Sequence, residues 1–157
     1  MTLITPNLIQ FEGNYYQLVR PFNLSSPKDV GLFIGRFAST DNPSGFLFTY
    51  MIEKGQLFLD TIFCRPGPPK GWKYKFLYRF KSYPPAINGV KPEQDKAMDD
   101  YFRYENLSVP LKYSGELIIG NSRYGMDSEI HPDHPGSYAE LLTLTFEKGK
   151  LVQRRMH

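Results

Sequence analysis

The segment HPDHP, residues 131–135, brings together three side chains that can bind a transition metal. His131, Asp133 and His134 supply imidazole and carboxylate groups, which are a common ligand set for such ions. The two prolines of the segment favour an extended loop, which does not present both histidines on one face of a helix. No further ligands stand at the spacing of a known metal motif. We therefore predict a polar loop here, with no bound metal and no cofactor.

Cations and aromatic rings alternate along GWKYKFLYRFKSY, residues 71–83. Successive side chains of a β-strand point to opposite faces, so the rings fall on one face and the cations on the other. A surface for single-stranded nucleic acid needs both on one accessible face, and binding of nucleic acid is therefore not expected. Complementary charge speeds encounter, so we predict that the basic face binds a protein partner with an acidic surface. The residues of this predicted site are Lys73, Lys75, Arg79 and Lys81.

Nucleophiles and carboxylates show no catalytic arrangement. Cys64 could pair with a distant histidine, as could Ser44 or Ser114, but nothing in the sequence places these groups together. Cys64 follows an apolar strand, a position typical of a buried structural thiol. Asp99 and Asp100 are neighbours in a predicted helix and diverge by about 100°, unlike an opposed acid and base. We predict a protein that is not an enzyme.

The triplet Glu-Lys-Gly stands between two alternating apolar runs at residues 53–55 and again at residues 147–149. Alternation on both sides of a short polar segment is typical of two paired strands. We predict a β-hairpin at each triplet with a three-residue bulged loop, in which Gly55 and Gly149 take the left-handed conformation. The repeated triplet is therefore interpreted as turn chemistry and not as a shared ligand site.

Other segments predict two further strands and two short helices. The strands cover residues 71–83 and residues 112–120, where apolar residues again alternate. One helix starts with Ser26 as its cap and Pro27 at its first position. A second helix is predicted within the segment 91–105, with its start at Pro92.

Composition indicates one mainly β domain over residues 1–157. Aromatic residues make up 15% of the chain, and 13 Gly and 13 Pro supply many chain reversals. We predict a curved antiparallel sheet or partly open barrel of about six to nine strands, with one or two short helices.

The compartment is predicted to be the cytoplasm. The N-terminal residues lack the pattern of a secretory signal, and no apolar stretch is long enough to span a bilayer. A single cysteine cannot form a disulfide within the chain, which agrees with a reducing compartment. The net charge of +3 is too small to indicate nucleic acid by itself.

Three motifs stand together in the sequence: an early charged-Gly turn before Leu-x-Leu, a Tyr-Ser-Gly entry to a later strand, and a final charged-Gly turn. Their residues are Gly45, Gly55, Leu57, Leu59, Tyr113, Ser114, Gly115, Leu117, Ile119, Tyr138, Leu142, Leu144, Gly149 and Leu151. Over roughly residues 30–152 the chain resembles a group of small uncharacterised bacterial proteins, which more often have a Trp where Thr49-Tyr50 stands here. That group has no assigned reaction or cofactor. The resemblance therefore implies a bacterial cytosolic domain and carries over no catalytic residue.

Taken together, these features predict a non-enzymatic bacterial cytosolic binding protein of the toxin-neutralising immunity type. Two alternatives stay open. One is a small-molecule-binding or enzymatic β-barrel, with a pocket lined by Tyr and Phe and with His131 and His134 nearby. The other is single-stranded nucleic-acid binding through residues 73–81.

Overall fold

Strands dominate the structure. The computed structural model of the chain describes residues 7–21, 23–30, 33–34, 46–67, 85–94, 101–123 and 138–156. The strands are β1 (Leu8–Phe11), β2 (Asn14–Arg20), β3 (Phe33–Ile34), β4 (Phe46–Glu53), β5 (Gln56–Cys64), β6 (Pro66–Gly67), β7 (Glu93–Gln94), β8 (Phe102–Tyr104), β9 (Val109–Pro110), β10 (Gly115–Arg123), β11 (Tyr138–Glu147) and β12 (Lys150–Met156). The predicted mainly β fold class is confirmed.

A closed barrel of seven strands forms the centre of the fold. Round the barrel the strands follow the order β4, β1, β2, β10, β11, β12 and β5, and β5 pairs with β4 again. All neighbours are antiparallel except β1 and β4, which pair in parallel. Outside the ring, β8 and β9 pair with β5, and β7 pairs with β8, so the described part of the main sheet has ten strands. The predicted number of about six to nine was too low, because β7, β8 and β9 are too short to show an alternating pattern.

The two Glu-Lys-Gly turns meet where the barrel closes. Between β5 and β12 there is one ladder pair, which joins residues 55–57 to residues 149–151, and we call this contact the seam. In each segment the N–H of the leucine donates to the carbonyl of the glycine in the other segment, at 2.9 and 2.7 Å. Equivalent positions of the two turn segments therefore exchange equivalent hydrogen bonds. The repeat serves both to turn two hairpins and to join them.

Two-residue loops, and not the predicted three-residue loops, turn these hairpins. The closing ladder pairs enclose Lys54 and Gly55 in one hairpin and Lys148 and Gly149 in the other. All four residues have positive φ, between 48° and 84°, which is typical of a type I′ turn. This turn is favoured in hairpins because its twist matches that of the flanking strands. The favourable twist offsets the cost of placing a lysine in the left-handed conformation. The predicted conformation of both glycines is confirmed, and the predicted bulged loop is wrong.

Inward-facing apolar side chains fill the barrel. On β4, every second residue from Phe46 to Tyr50 is buried, as the alternation predicted, and adjacent rings stack with centroids 6.1 and 6.4 Å apart. The other barrel strands contribute Ile9, Phe11, Leu18, Leu57, Leu59, Ile62, Leu117, Ile119, Leu142, Leu144 and Phe146. Burial of each large apolar side chain is worth about 1.5–3 kcal/mol, so this cluster is the main source of stability.

A β-bulge changes which residues of β5 face the core. The register between β4 and β5 shifts between Thr49 and Tyr50, which leaves Asp60 as an extra residue on β5. The alternation therefore changes phase: Leu57 and Leu59 are buried before the bulge, and Ile62 and Cys64 are buried after it. Strict alternation fails here because a bulge places two residues of one strand opposite one residue of its partner.

The predicted helix over residues 91–105 is wrong at both of its described ends, which are β7 and β8 paired antiparallel. Tyr104 is fully buried and donates its hydroxyl to the Pro85 carbonyl at 2.6 Å. Tyr101 stacks on Phe63 of β5 with ring centroids 5.0 Å apart. Aromatic packing against a sheet outweighs the weak helix propensity of this segment.

The predicted helix start at Ser26 is confirmed, although the helix is a short 3-10 helix over Pro27–Val30. The Asp29 N–H donates to the Ser26 carbonyl at 3.0 Å, and the Asp29 carboxylate accepts the Ser26 N–H at 2.9 Å. A side chain of the first turn thus satisfies the backbone of the cap, as in a capping box. Within the described ranges, no helix is long and apolar enough to cross a membrane.

Candidate functional site

The residues that the sequence singled out most strongly lie outside the described residues. These are the cations Lys73, Lys75, Arg79 and Lys81 and the metal-ligand candidates His131, Asp133 and His134. The predicted strand over residues 71–83 and the carboxylates at 99 and 100 also fall there. In the ranges that the structure describes, no group of three His, Cys, Asp or Glu side chains could hold a metal ion.

Two of the candidate nucleophiles are described, and both have structural surroundings. Cys64 is buried at the end of β5, as predicted, and burial raises the pKa of its thiol to about 12. The thiol is therefore protonated at neutral pH and is a poor nucleophile. The Ser114 hydroxyl oxygen accepts the Lys148 N–H at 2.8 Å, and it thereby holds the tip of the β11–β12 hairpin.

A tyrosine hydroxyl is enclosed in the barrel interior. Tyr50 is fully buried, and this burial raises the pKa of its hydroxyl to about 12. The hydroxyl lies beside Ser25, yet it meets hydrogen-bond geometry with no group in the described structure. A phenol that keeps its proton at neutral pH does not act as a general base.

An open groove lies where β1 and β4 separate at one end of the barrel. The two strands pair in parallel only as far as Gln10 and Met51, and each then continues to its own hairpin turn. The space between the two turns has a volume of about 520 Å³, within the range of roughly 300–1,000 Å³ that is usual for ligand sites. Residues 10–13, residues 51–55 and Leu151 of β12 line it. We call this space the mouth groove.

The mouth groove has an apolar floor and a charged rim. Phe11, Ile52 and Leu151 form the floor, and all three pack in or against the barrel core. Glu53 and Lys54 are exposed at the rim because they lie at the β4–β5 turn. Such a groove can bury an apolar group while its rim recognises charge.

Arg154 of β12 connects that strand to the wall of the mouth groove formed by the β1–β2 hairpin. Its guanidinium forms an ion pair with the Glu12 carboxylate and lies 5.1 Å from the centroid of the Phe11 ring. Both contacts are favourable for a guanidinium, which stacks on rings and donates to carboxylates in a fixed geometry. The position of this wall is therefore set before any ligand binds.

The hairpin that forms this wall was not predicted from the sequence. β1 and β2 are joined by Glu12 and Gly13, which have φ of 52° and 80° and form the same type of two-residue turn as the Glu-Lys-Gly hairpins. The signal was a glycine between two segments of strand-forming residues, LIQF and NYYQLVR. β1 has only four residues, so its alternation is too short to identify a strand with certainty.

Comparisons with protein-family models, with curated proteins and with solved structures found no match. The resemblance to a group of small bacterial proteins stays a prediction.

Proposed function

We propose that this chain is a non-enzymatic binding protein that holds a protein partner at the mouth groove. The observation that carries the proposal is the combination of an open apolar floor with a charged rim at one end of the barrel. Protein interfaces commonly have an apolar centre surrounded by polar residues. A preformed surface loses little freedom on binding, which favours affinity.

An exposed tyrosine beside the groove supports a protein partner. Tyr15 of β2 is 60% exposed, and it lies directly across from Gln10, which lines the groove. Cross-strand neighbours share one face of a sheet, so the Tyr15 ring stands next to the groove wall. Tyrosine is enriched among the residues that dominate interface energies.

The polar groups of the groove favour recognition over catalysis. Glu53 and Lys54 are exposed, and Glu12 is already paired with Arg154. An exposed carboxylate and a carboxylate already engaged in an ion pair are both suited to recognising charge on a partner.

Within this class, the form that we propose is a toxin-neutralising antagonist in the bacterial cytosol. Neutralisation needs only that a partner surface be covered, which a rigid barrel end can do without chemistry. Co-expression with the product of a neighbouring toxin-like gene tests this form. Restored growth is the expected result, and growth arrest despite normal levels of both proteins would contradict it.

A photo-crosslinking experiment tests the binding site directly. Met51 lines the groove, whereas Leu47 has a similar half-buried position on the same face of β4 away from the groove. A photoreactive phenylalanine analogue placed at Met51 should capture one partner protein in the source cells. The same analogue at Leu47 is the matched control and should not capture it. Equal capture at both positions, or none at Met51, would contradict a partner at the mouth groove.

A further inference from the structure

Among the described residues, β12 has no strand partner on one edge beyond Lys150, next to the mouth groove, and we call this the free edge. Along one side β12 pairs with β11 from Lys150 to Met156, with Val152 as the extra residue of a β-bulge. Along the other side the described structure pairs it with β5 at Lys150 only. Val152 and Met156 are 56% and 74% exposed, unusually high values for apolar residues in a strand. An exposed edge with apolar side chains is a template for another strand.

The free edge is basic. Lys150, Arg154 and Arg155 are all exposed on a strand of seven residues without a carboxylate. Arg154 is held by Glu12, so Arg155, one residue before the end of β12, is the cation of the described edge that we assign to partner recognition. It lies opposite Thr143 of β11, which places its side chain on the outer face of the sheet.

We propose that an extended acidic segment of the partner protein adds to β12 as a further strand, along residues 152–156. This inference rests on the proposed binding function and gives it a mode, strand addition, in which backbone hydrogen bonds supply affinity and side chains supply specificity. A carboxylate of the incoming strand pairs with Arg155, and apolar residues cover Val152 and Met156. A second copy of the chain is a poorer occupant, because β12 paired with itself brings like charges together.

The edge and the mouth groove form one continuous surface. Leu151 lines the groove and directly precedes the exposed residues 152–156 of β12, while Arg154 contacts Glu12 on the groove wall. A strand added to β12 therefore leads its next residues into the groove. One extended segment reaches both features, which explains why the exposed apolar residues and the groove lie together.

Synthetic peptides of about eight residues, the length of a strand, test the proposal. The probe alternates valine and glutamate, and two controls alternate valine and lysine or carry an N-methylated backbone on the acidic sequence. We expect the acidic probe to shift the backbone amide signals of residues 151–156 in isotope-labelled protein, and neither control to do so. Equal binding of the N-methylated peptide would reduce the effect to charge attraction and overturn strand addition.

Charge reversal at one position supplies a matched pair of variants. Arg155→Glu should weaken the acidic probe by about tenfold or more and should allow the lysine peptide to bind. Lys91→Glu makes the same charge change at an exposed residue before β7, and it should leave the binding of both peptides unchanged. Thermal unfolding confirms that both variants fold.

Three outcomes would overturn the inference. They are no binding of the acidic probe, tighter binding of an oligothymidine that Arg155→Glu abolishes, and a dimer of the chain that the same variant dissociates. Crosslinking at Met51 without peptide binding at β12 leaves the proposed function intact and refutes strand addition alone. Peptide binding without crosslinking at Met51 refutes the mouth groove as the partner site.

Discussion

Gly55 and Gly149 occupy the same position in identical triplets, yet an added methyl group would meet different surroundings. At Gly55 no atom lies within 4 Å of the position of a Cβ, whereas at Gly149 the Leu111 carbonyl oxygen lies 1.9 Å away. The Gly149 N–H also donates to the Tyr113 carbonyl at 2.8 Å, so the second turn is docked on the barrel. Turn chemistry requires glycine at both sites, and packing requires it only at the second.

Alanine at each glycine separates these two effects. Gly55→Ala should lower the free energy of unfolding by about 1–2 kcal/mol, the cost of a left-handed conformation. Gly149→Ala should cost clearly more, because the methyl group must displace the backbone at Leu111. Urea unfolding of both variants measures the difference. Equal losses would show that the docked turn moves freely.

Two buried tyrosines differ in whether the hydroxyl has a hydrogen-bond partner, so removing each hydroxyl should affect stability differently. The Tyr104 hydroxyl donates to the Pro85 carbonyl at 2.6 Å, whereas the Tyr50 hydroxyl has no hydrogen bond in the described structure. Tyr104→Phe should lower the free energy of unfolding by about 1 kcal/mol, because it removes a partly buried hydrogen bond. Tyr50→Phe should be neutral or stabilising, since it removes a buried hydroxyl that lacks a partner. A large loss of stability for Tyr50→Phe would show that the Tyr50 hydroxyl does form a stabilising hydrogen bond beside Ser25.

Alkaline pH should destabilise the fold through two groups with raised pKa values. Burial raises the pKa of Cys64 from 9.0 to about 12 and that of Tyr50 from 10.0 to about 12. Above these lower values the unfolded chain loses protons that the folded chain keeps, so stability falls as pH rises. Each group contributes up to about 1.4 kcal/mol per pH unit in its window. Cys64→Ala should flatten the decline that begins near pH 9, as measured by urea unfolding across this range.

At the scale of the element, structure set by local chemistry could be predicted from the sequence, whereas structure set by tertiary packing could not. The Glu-Lys-Gly hairpins were predictable because alternation and a turn glycine act within a few residues. The segment 91–105 was wrongly predicted as a helix because its aromatic residues pack against β5, a contact that local propensity does not contain. Likewise, the phase change at Asp60 depends on pairing with β4. The elements that were predicted correctly are those whose conformation depends on nearby residues alone.

The tie between β12 and the β1–β2 turn is testable as an element contact. Arg154→Ala removes the ion pair with Glu12 and the contact with the Phe11 ring. It should lower the free energy of unfolding by up to about 1 kcal/mol, because both contacts are partly exposed. Arg155→Ala, on the same strand, should leave stability nearly unchanged. Equal effects of the two alanine variants in thermal unfolding would show that Arg154 does not hold the strand.

At the scale of the whole molecule, the barrel places together what the sequence keeps apart. The mouth groove draws Phe11, Ile52 and Leu151 from three hairpins that are distant along the chain. No motif joins these residues, so the groove could not be predicted from spacing. The barrel-like class was predictable from aromatic and turn content, but its closure depends on the single pair between β5 and β12.

That single pair also has a consequence for the order of folding. Every other neighbouring pair of barrel strands contributes at least three ladder pairs. Closing the seam therefore adds the fewest backbone hydrogen bonds of any strand pairing, while the chain still loses conformational entropy on closure. We expect the barrel to form first as an open sheet and to close at the seam after the transition state.

Gln56→Ala removes side-chain hydrogen bonds to the Leu57 and Leu111 carbonyls beside the seam. It should therefore speed unfolding in stopped-flow measurements and leave the folding rate unchanged. Phe48→Leu, inside the β4–β5 hairpin, should instead slow folding, which would mark that hairpin as the place where the barrel begins.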